Sequence, residues 1–103
     1  MSQYSLSYSD EANSDLKSLA YAITEEYGSP ITAFRYVQGI IKTINKMAKN
    51  PEAYPIRFNL SLLEYGLNVR RVNYKKMAVL YTINDDNTVF IHRVIASSLI
   101  TES

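Results

Sequence analysis

A chain of 103 residues with one histidine, no cysteine and no tryptophan has few routes to chemistry. Without cysteine there are no disulfides, thiolate metal sites or thiol nucleophiles. His92 is the one side chain whose ordinary pKa lies near neutrality. A lone imidazole excludes multi-histidine metal centres and leaves only carboxylate-rich ones. The adjacent carboxylates Asp85 and Asp86 sit in the run Asn84-Asp85-Asp86-Asn87, which reads as a hairpin turn, and neighbouring residues there point to opposite sides. No metal and no cofactor is therefore expected. Proton transfer would fall to His92 with Arg93 beside it as the cation, or to Glu64 as a base. Against this, a histidine on an apolar strand also reads as a packed one, and catalysis is the less favoured expectation.

The remaining chemistry is cationic and aromatic. The formal net charge is only +1, so general attraction to polyanions or membrane surfaces is not the theme. The charge is uneven, however. Residues 1–52 carry five basic and six acidic groups, and residues 53–103 carry six basic and four acidic. Between Arg57 and Lys76 the basic groups are Arg57, Arg70, Arg71, Lys75 and Lys76, against Glu64 alone. Such a stretch suits an acidic partner, an arginine pairing bidentately with a carboxylate. It also suits an edge strand kept from aggregating by its charges. Nine tyrosines add side chains with an apolar body and a polar tip, the type enriched where proteins meet; Tyr21 and Tyr36 lie beside the apolar stripes described next.

The elements that would position these groups follow from periodicity. Tyr4, Leu6 and Tyr8 alternate with serines, which predicts a strand with one buried face. Ser9 or Asp10 then caps a helix in which Ala12, Leu16, Leu19 and Ile23 form a stripe, closed at Gly28. Ser29-Pro30 starts a second helix, with Phe34, Val37, Ile41, Ile44 and Met47 as its stripe and Asn50-Pro51 as its stop. The Gly28-Ser29 connection is short enough to make the pair a helical hairpin. Residues 51–67 read as a loop with a short helical turn or an edge strand. Asn68–Tyr74, Met77–Ile83 and Thr88–Ala96 read as strands, joined tightly at Lys75-Lys76 and at the 84–87 turn. The tail from Ser97 to Ser103 is expected to be loose. The order β-α-α-β-β-β predicts one α+β domain over residues 1–103, an antiparallel four-stranded sheet with the helical hairpin on one face. Met77, Val79, Tyr81 and Ile83 should face the helices, leaving Ala78, Leu80 and Thr82 on an uncovered side. The opening MSQYSLSYSD has neither a basic nor an apolar leader segment, and no stretch is long enough to span a bilayer, so a cytoplasmic protein without a membrane partner is expected.

The ordered set of motifs resembles the RelE/ParE superfamily of bacterial toxins from type II toxin–antitoxin, or plasmid stabilisation, modules. The resemblance covers nearly the whole chain. It rests on the early strand with Ala12-x-x-Asp15-Leu16-x-x-Leu19, on the helix pair joined at Gly28-Ser29-Pro30 with Ile41-x-x-Ile44 before Asn50-Pro51, and on Tyr65-Gly66-x-x-x-Arg70. Val79-Leu80-Tyr81-Thr82-Ile83 and Val89-x-Ile91-x-Arg93-Val94 complete it. It implies a compact toxin neutralised by a cognate antitoxin whose C-terminal segment wraps around it. RelE-like members enter the ribosome and cut mRNA; ParE-like members inhibit DNA gyrase.

The resemblance also separates these branches. RNA cleavage by 2′-hydroxyl attack needs a base, cations at the phosphate and an acid for the leaving oxygen. The strand arginine of RelE-like nucleases aligns with Ala78 here, and their later basic position falls near Ala96, Ser97 and Ser98. Residues 95–103 hold no tyrosine. The departure favours a ParE-like toxin acting by protein–protein inhibition, with Arg57, Arg70, Arg71, Lys75, Lys76, Tyr21 and Tyr36 as candidates for binding antitoxin or target. The alternative is a ribosome-dependent mRNA endonuclease using His92, Arg93, Arg70 or Lys75 and Lys76; a degenerate, non-toxic member is a third reading.

Overall fold

The computed structural model describes residues 3–101; Met1, Ser2 and the last two residues of the tail, Glu102 and Ser103, lie outside the described residues. Strand β1 spans Ser5–Tyr8, helix α1 Asp10–Tyr27, helix α2 Pro30–Ala48, and strands β2, β3 and β4 span Arg70–Tyr74, Met77–Ile83 and Thr88–Ala96. Short 3₁₀ turns occupy Pro51–Ala53, Leu60–Tyr65 and Ser97–Leu99.

The helix boundaries have local causes. The Ser9 hydroxyl accepts a hydrogen bond from the Ala12 N–H at 2.9 Å, satisfying a donor that the first turn of α1 leaves free. Gly28 closes α1 at φ 59°, a left-handed conformation that costs glycine little. Ser29 caps α2 through the Thr32 N–H, and Pro30 takes the first helical position, where a missing N–H costs nothing.

Two expectations are corrected in the sheet. The strand order is β1-β4-β3-β2, and the sheet is mixed rather than purely antiparallel. β2–β3 and β3–β4 are antiparallel, but β1 runs parallel to β4, from Ser5 opposite Thr88 to Tyr8 opposite Ile91. Alternation along β1 sets which face is buried and says nothing of direction. The long helical connection supplies the crossover that a parallel partner requires. The second correction concerns the uncovered face. Ala78 and Leu80 have no exposed surface; with Leu62, Val69 and Ile100 they form a second core, flanked by Tyr65 and Ile95. Leu62 and Tyr65 of the 60–65 turn and Ile100 lie over this face. Residues 97–101 of the tail are tied down through Thr101, whose carbonyl accepts from Asn59 Nδ2 at 2.7 Å, and through the Ser97 N–H to the Lys76 carbonyl at 2.8 Å.

The main core lies between the sheet and the hairpin. Ala12, Ile40, Ile44 and Met47 meet Val72, Val79, Tyr81, Val89, Ile91 and Val94, with Tyr4, Leu6, Tyr8, Leu16 and Leu19 packed around them. The stripe of α2 is turned slightly from the expected one: Ala33, Ile40, Ile44 and Met47 are buried, whereas Phe34 is 61% exposed. A helix of 3.6 residues per turn lets a stripe start at either of two adjacent residues. Tyr81 is fully buried, its hydroxyl donating to the Pro51 carbonyl at 2.8 Å, which anchors the start of the 51–67 segment.

β3 is thus buried on both faces, and its substitutions should behave as core truncations. Leu80→Ala is expected to cost about 2–5 kcal/mol, the range for a fully buried leucine, measured by urea unfolding. A loss below about 0.5 kcal/mol, the range of an exposed surface position, would return Leu80 to an open face.

Candidate functional site

The sequence-level candidates fall in three places. The first is the middle of β4. The register between β3 and β4 shifts so that Leu80 faces Arg93 while Tyr81 faces Ile91, leaving His92 as the extra residue of a bulge. The bulge breaks the simple parity of β4. Val89, Ile91 and Val94 point into the main core, and His92 and Phe90 occupy the other face with Tyr65. His92 Nε2 lies 2.8 Å from Thr82 Oγ1, and the ring meets Phe90 edge-on at 4.8 Å and Tyr65 at 5.6 Å. Burial holds its pKa below the ordinary histidine value, opposed in part by the Glu11 carboxylate.

Arg93 is equally engaged. Its Nε and Nη2 donate to Asp15 at 2.8 and 3.0 Å, and Asp15 also accepts the Val94 N–H at 2.9 Å. The hydrogen bond to Asp15 raises the guanidinium pKa further, against the effect of burial, so Arg93 is a fixed cation. Together the two residues make a neutral imidazole clamped between rings and a cation already paired.

The second place is the basic edge. Arg70 is half-buried, and its Nη1 donates to the carbonyls of Tyr54 and Glu52, fastening the segment after α2 against β2. Arg71 donates from Nε to Asn73 Oδ1 at 2.7 Å, within its own strand. Arg57 is exposed, its backbone N–H bonded to the Val69 carbonyl at 2.8 Å. These three arginines do not gather around one site.

The third place is a cleft between the helical hairpin and the β2–β3 turn. A hollow of about 420 Å³ is bounded by Leu19, Ile23, Glu26 and Tyr27 of α1, Thr32 and Tyr36 of α2, and Lys75 and Lys76. A smaller one of about 240 Å³ adjoins it, sharing Thr32, Tyr36 and Lys75 and adding Arg35 and Tyr74. Tyr36 and Tyr74 meet edge to face at 5.3 Å between ring centres. The Lys75 ammonium lies 5.5 Å from both centres, within cation–π reach. Arg35, Lys75 and Lys76 face only Glu26 among the lining charges, and none of the three forms an ion pair among the described residues. Tyr21, 69% exposed, lines neither hollow.

Tyr36, Lys75 and Lys76 are therefore brought together as a site, and Tyr74 joins them unanticipated. Gly39 is the sequence signal that goes with it. A Cβ there would sit 2.1 Å from the Tyr74 hydroxyl, so a glycine inside a helix marks where a ring from β2 lies against α2. Among the described residues no group of histidine, aspartate and glutamate is arranged to hold a metal, and no helix is long and apolar enough to cross a membrane.

A helical hairpin laid on a four-stranded mixed sheet, with a basic and aromatic cleft at the tip of the hairpin, makes a small α+β domain. The model of the ParE toxin of the type II toxin–antitoxin system parDE matches residues 6–98, and the chain belongs to that family. Its fold is similar to a chromosomal ParDE toxin–antitoxin system from P. aeruginosa, with a TM-score of 0.75 at 18% identity over 91% of this chain and 96% of that one. It is also similar to the toxin–antitoxin complex RelBE2 from Mycobacterium tuberculosis, with a TM-score of 0.54 at 20% identity over 92% and 99% of the two chains. No curated protein matches the chain.

The lowered His92 pKa gives a signed pH dependence. The unfolded chain binds the His92 proton more tightly than the folded one, so stability is fully present above about pH 6.5, the unfolded histidine value, and falls as the pH drops toward the folded pKa. Unfolding free energies measured between pH 7.5 and 5 should decline less steeply in His92→Gln than in the parent. Parallel curves would mean that His92 is as solvated folded as unfolded.

Proposed function

We propose that this chain is the toxin of a type II toxin–antitoxin pair, that it acts in the cytoplasm by binding DNA gyrase rather than by catalysis, and that a cognate antitoxin neutralises it. The observation that carries this reading is a contrast in how the charges are used. The β4 pair that would perform proton transfer is consumed inside the fold: Arg93 by Asp15, His92 by Thr82 and two rings. The cations of the cleft are left without ion-pair partners among the described residues.

A phosphodiester-cleaving centre needs a free base and cations aimed at one phosphate. A protein inhibitor needs unpaired charge beside apolar surface, and the cleft supplies both. Family membership and the similar ParDE fold support an antitoxin as the neutralising partner. Exposed Tyr27, Ile31 and Phe34 around the same hairpin tip are the apolar side chains that a covering segment would bury.

Expression of the chain alone should cause filamentous growth with intact transcripts, and the purified protein should inhibit gyrase supercoiling. His92→Gln should leave both effects in place. Cut messages on translating ribosomes, abolished by His92→Gln, would overturn the gyrase reading and establish a nuclease.

A further inference from the structure

Four described residues have a positive φ: Gly28, Gly66, Asn87 and Lys75. Three are of the types that tolerate this region, two glycines and an asparagine. Lys75 is the exception, at φ 51°. It is the first of two residues in the β2–β3 hairpin turn, between Tyr74 and Met77, a place that glycine, asparagine or aspartate normally takes. The lysine Cβ is strained there, and strain of this kind clusters at functional sites, where the surrounding structure over-determines it.

The surroundings say what the side chain is needed for. The Lys75 ammonium is braced by two tyrosine rings, at 5.5 Å from each. It stands where the two hollows adjoin and lines both. The larger hollow offers Leu19, Ile23 and Tyr27 as an apolar wall; Arg35 stands in the smaller and Lys76 in the larger, so cations lie to either side. Glu26 is the single opposing charge, and Lys75 has no ion pair among the described residues. An exposed ammonium braced by two rings, next to a wall of leucine and isoleucine, matches a carboxylate with an aliphatic residue near it in sequence.

We propose that Lys75 occupies this strained turn position because its ammonium is the specificity-determining contact for a carboxylate of an acidic, leucine-rich antitoxin segment, whose aliphatic side chain fills the larger hollow. The inference rests on the antitoxin reading above and adds the chemistry that the cleft selects. A conventional turn residue would relieve the backbone and abolish the contact, so stability and recognition pull in opposite directions at this one position.

The test uses the full chain and Lys75→Gly, with Lys75→Asn as a second variant that keeps a side chain suited to positive φ. The probe is a short end-blocked peptide of leucine and glutamate, set against the same peptide with glutamine in place of glutamate. Binding is followed by amide shifts at Tyr36 and residues 74–76. At low salt the glutamate peptide should bind the parent at least about tenfold more tightly than the glutamine peptide, and this preference should shrink with added salt. In both variants the preference should fall to about twofold or less, while Tm stays equal or rises. A preference retained in Lys75→Gly, or a Tm that drops by several degrees in both variants, would overturn the proposal, since Lys75 would then be irrelevant to recognition or present for structural reasons. A further arm uses the protein encoded beside this chain. If it binds parent and Lys75→Gly equally, the antitoxin reading stands and the Lys75 inference fails. If it does not bind the parent while the glutamate preference persists, the antitoxin reading fails and the carboxylate site remains.

Discussion

The outer edge of β4 is the constraint on which the rest of the arrangement depends. β1 pairs with β4 only from Thr88 to Ile91. Beyond that point the edge would leave backbone groups without partners beneath a helix, a cost that buried amides and carbonyls rarely bear. The chain resolves this with the residues that start α1. The Ser9 N–H donates to the Ile91 carbonyl at 2.9 Å, the Ser9 hydroxyl donates to the His92 carbonyl at 2.8 Å, and Asp15 accepts the Val94 N–H. One serine thus caps the helix and seals the strand, and one aspartate seals the strand and pairs Arg93. The bond to the Asp15 carboxylate is of the charged kind, which contributes about 1.5–3 kcal/mol, and the two neutral bonds contribute about 0.5–1.5 kcal/mol each. They fix the first turns of α1 against β4, and the hairpin and its tip follow.

The bulge at His92 belongs to the same solution. With one extra residue in β4, the side chains after it change faces, so that Val94 and Ala96 reach the helical core while Ile95 joins the second core below. Without it Val94 would lie on the face opposite Val89 and Ile91. The inserted residue is a histidine whose ring finds a hydroxyl on β3 and a tyrosine from the 60–65 turn. His92 therefore ties the covering segment to the sheet, as Arg70 ties the segment before it through the Tyr54 and Glu52 carbonyls.

What was legible in the sequence was local. The alternation around Leu6, the serine caps, Gly28 as a helix stop and the two tight turns depend on residues within a few positions of one another, and they appear where their chemistry places them. The parallel pairing of β1, the bulge and the second core were not legible because each depends on groups tens of residues apart. Alternation in β1 is blind to the direction of its neighbour. Nothing near Leu62 or Ile100 says that Ala78 and Leu80 will be beneath them. The site divides in the same way. Lys75 and Lys76 in a turn were visible as exposed charge, whereas the ring of Tyr74 against α2 was encoded only by the small size of Gly39, a residue that carries no charge or polarity to mark it. Two of the arginines are engaged inside the fold for a physical reason: a guanidinium with five donors is drawn to the nearest carbonyl or carboxylate, and Arg70 and Arg93 find theirs there.

This division of labour would let the chain keep its fold while offering the cleft to the proposed partner. The polar interactions that hold it are made by Ser9, Asp15, Arg70 and Arg93, none of which lines the cleft, whereas Leu19, Tyr36 and Tyr74 pack against the main core and line the cleft as well. The cleft uses lysines, which are flexible and strongly hydrated and which lose little by waiting in solvent. Its rings are half-buried, so Tyr36 and Tyr74 are ordered by the fold before any partner arrives. Ordering in advance lowers the entropic cost of association. Unpaired cations speed the encounter with an acidic segment by long-range attraction. Of the groups in the cleft, Arg35, Lys75 and Lys76 lie outside both cores, so exchange of these cations would alter the proposed recognition without altering the packing beneath it.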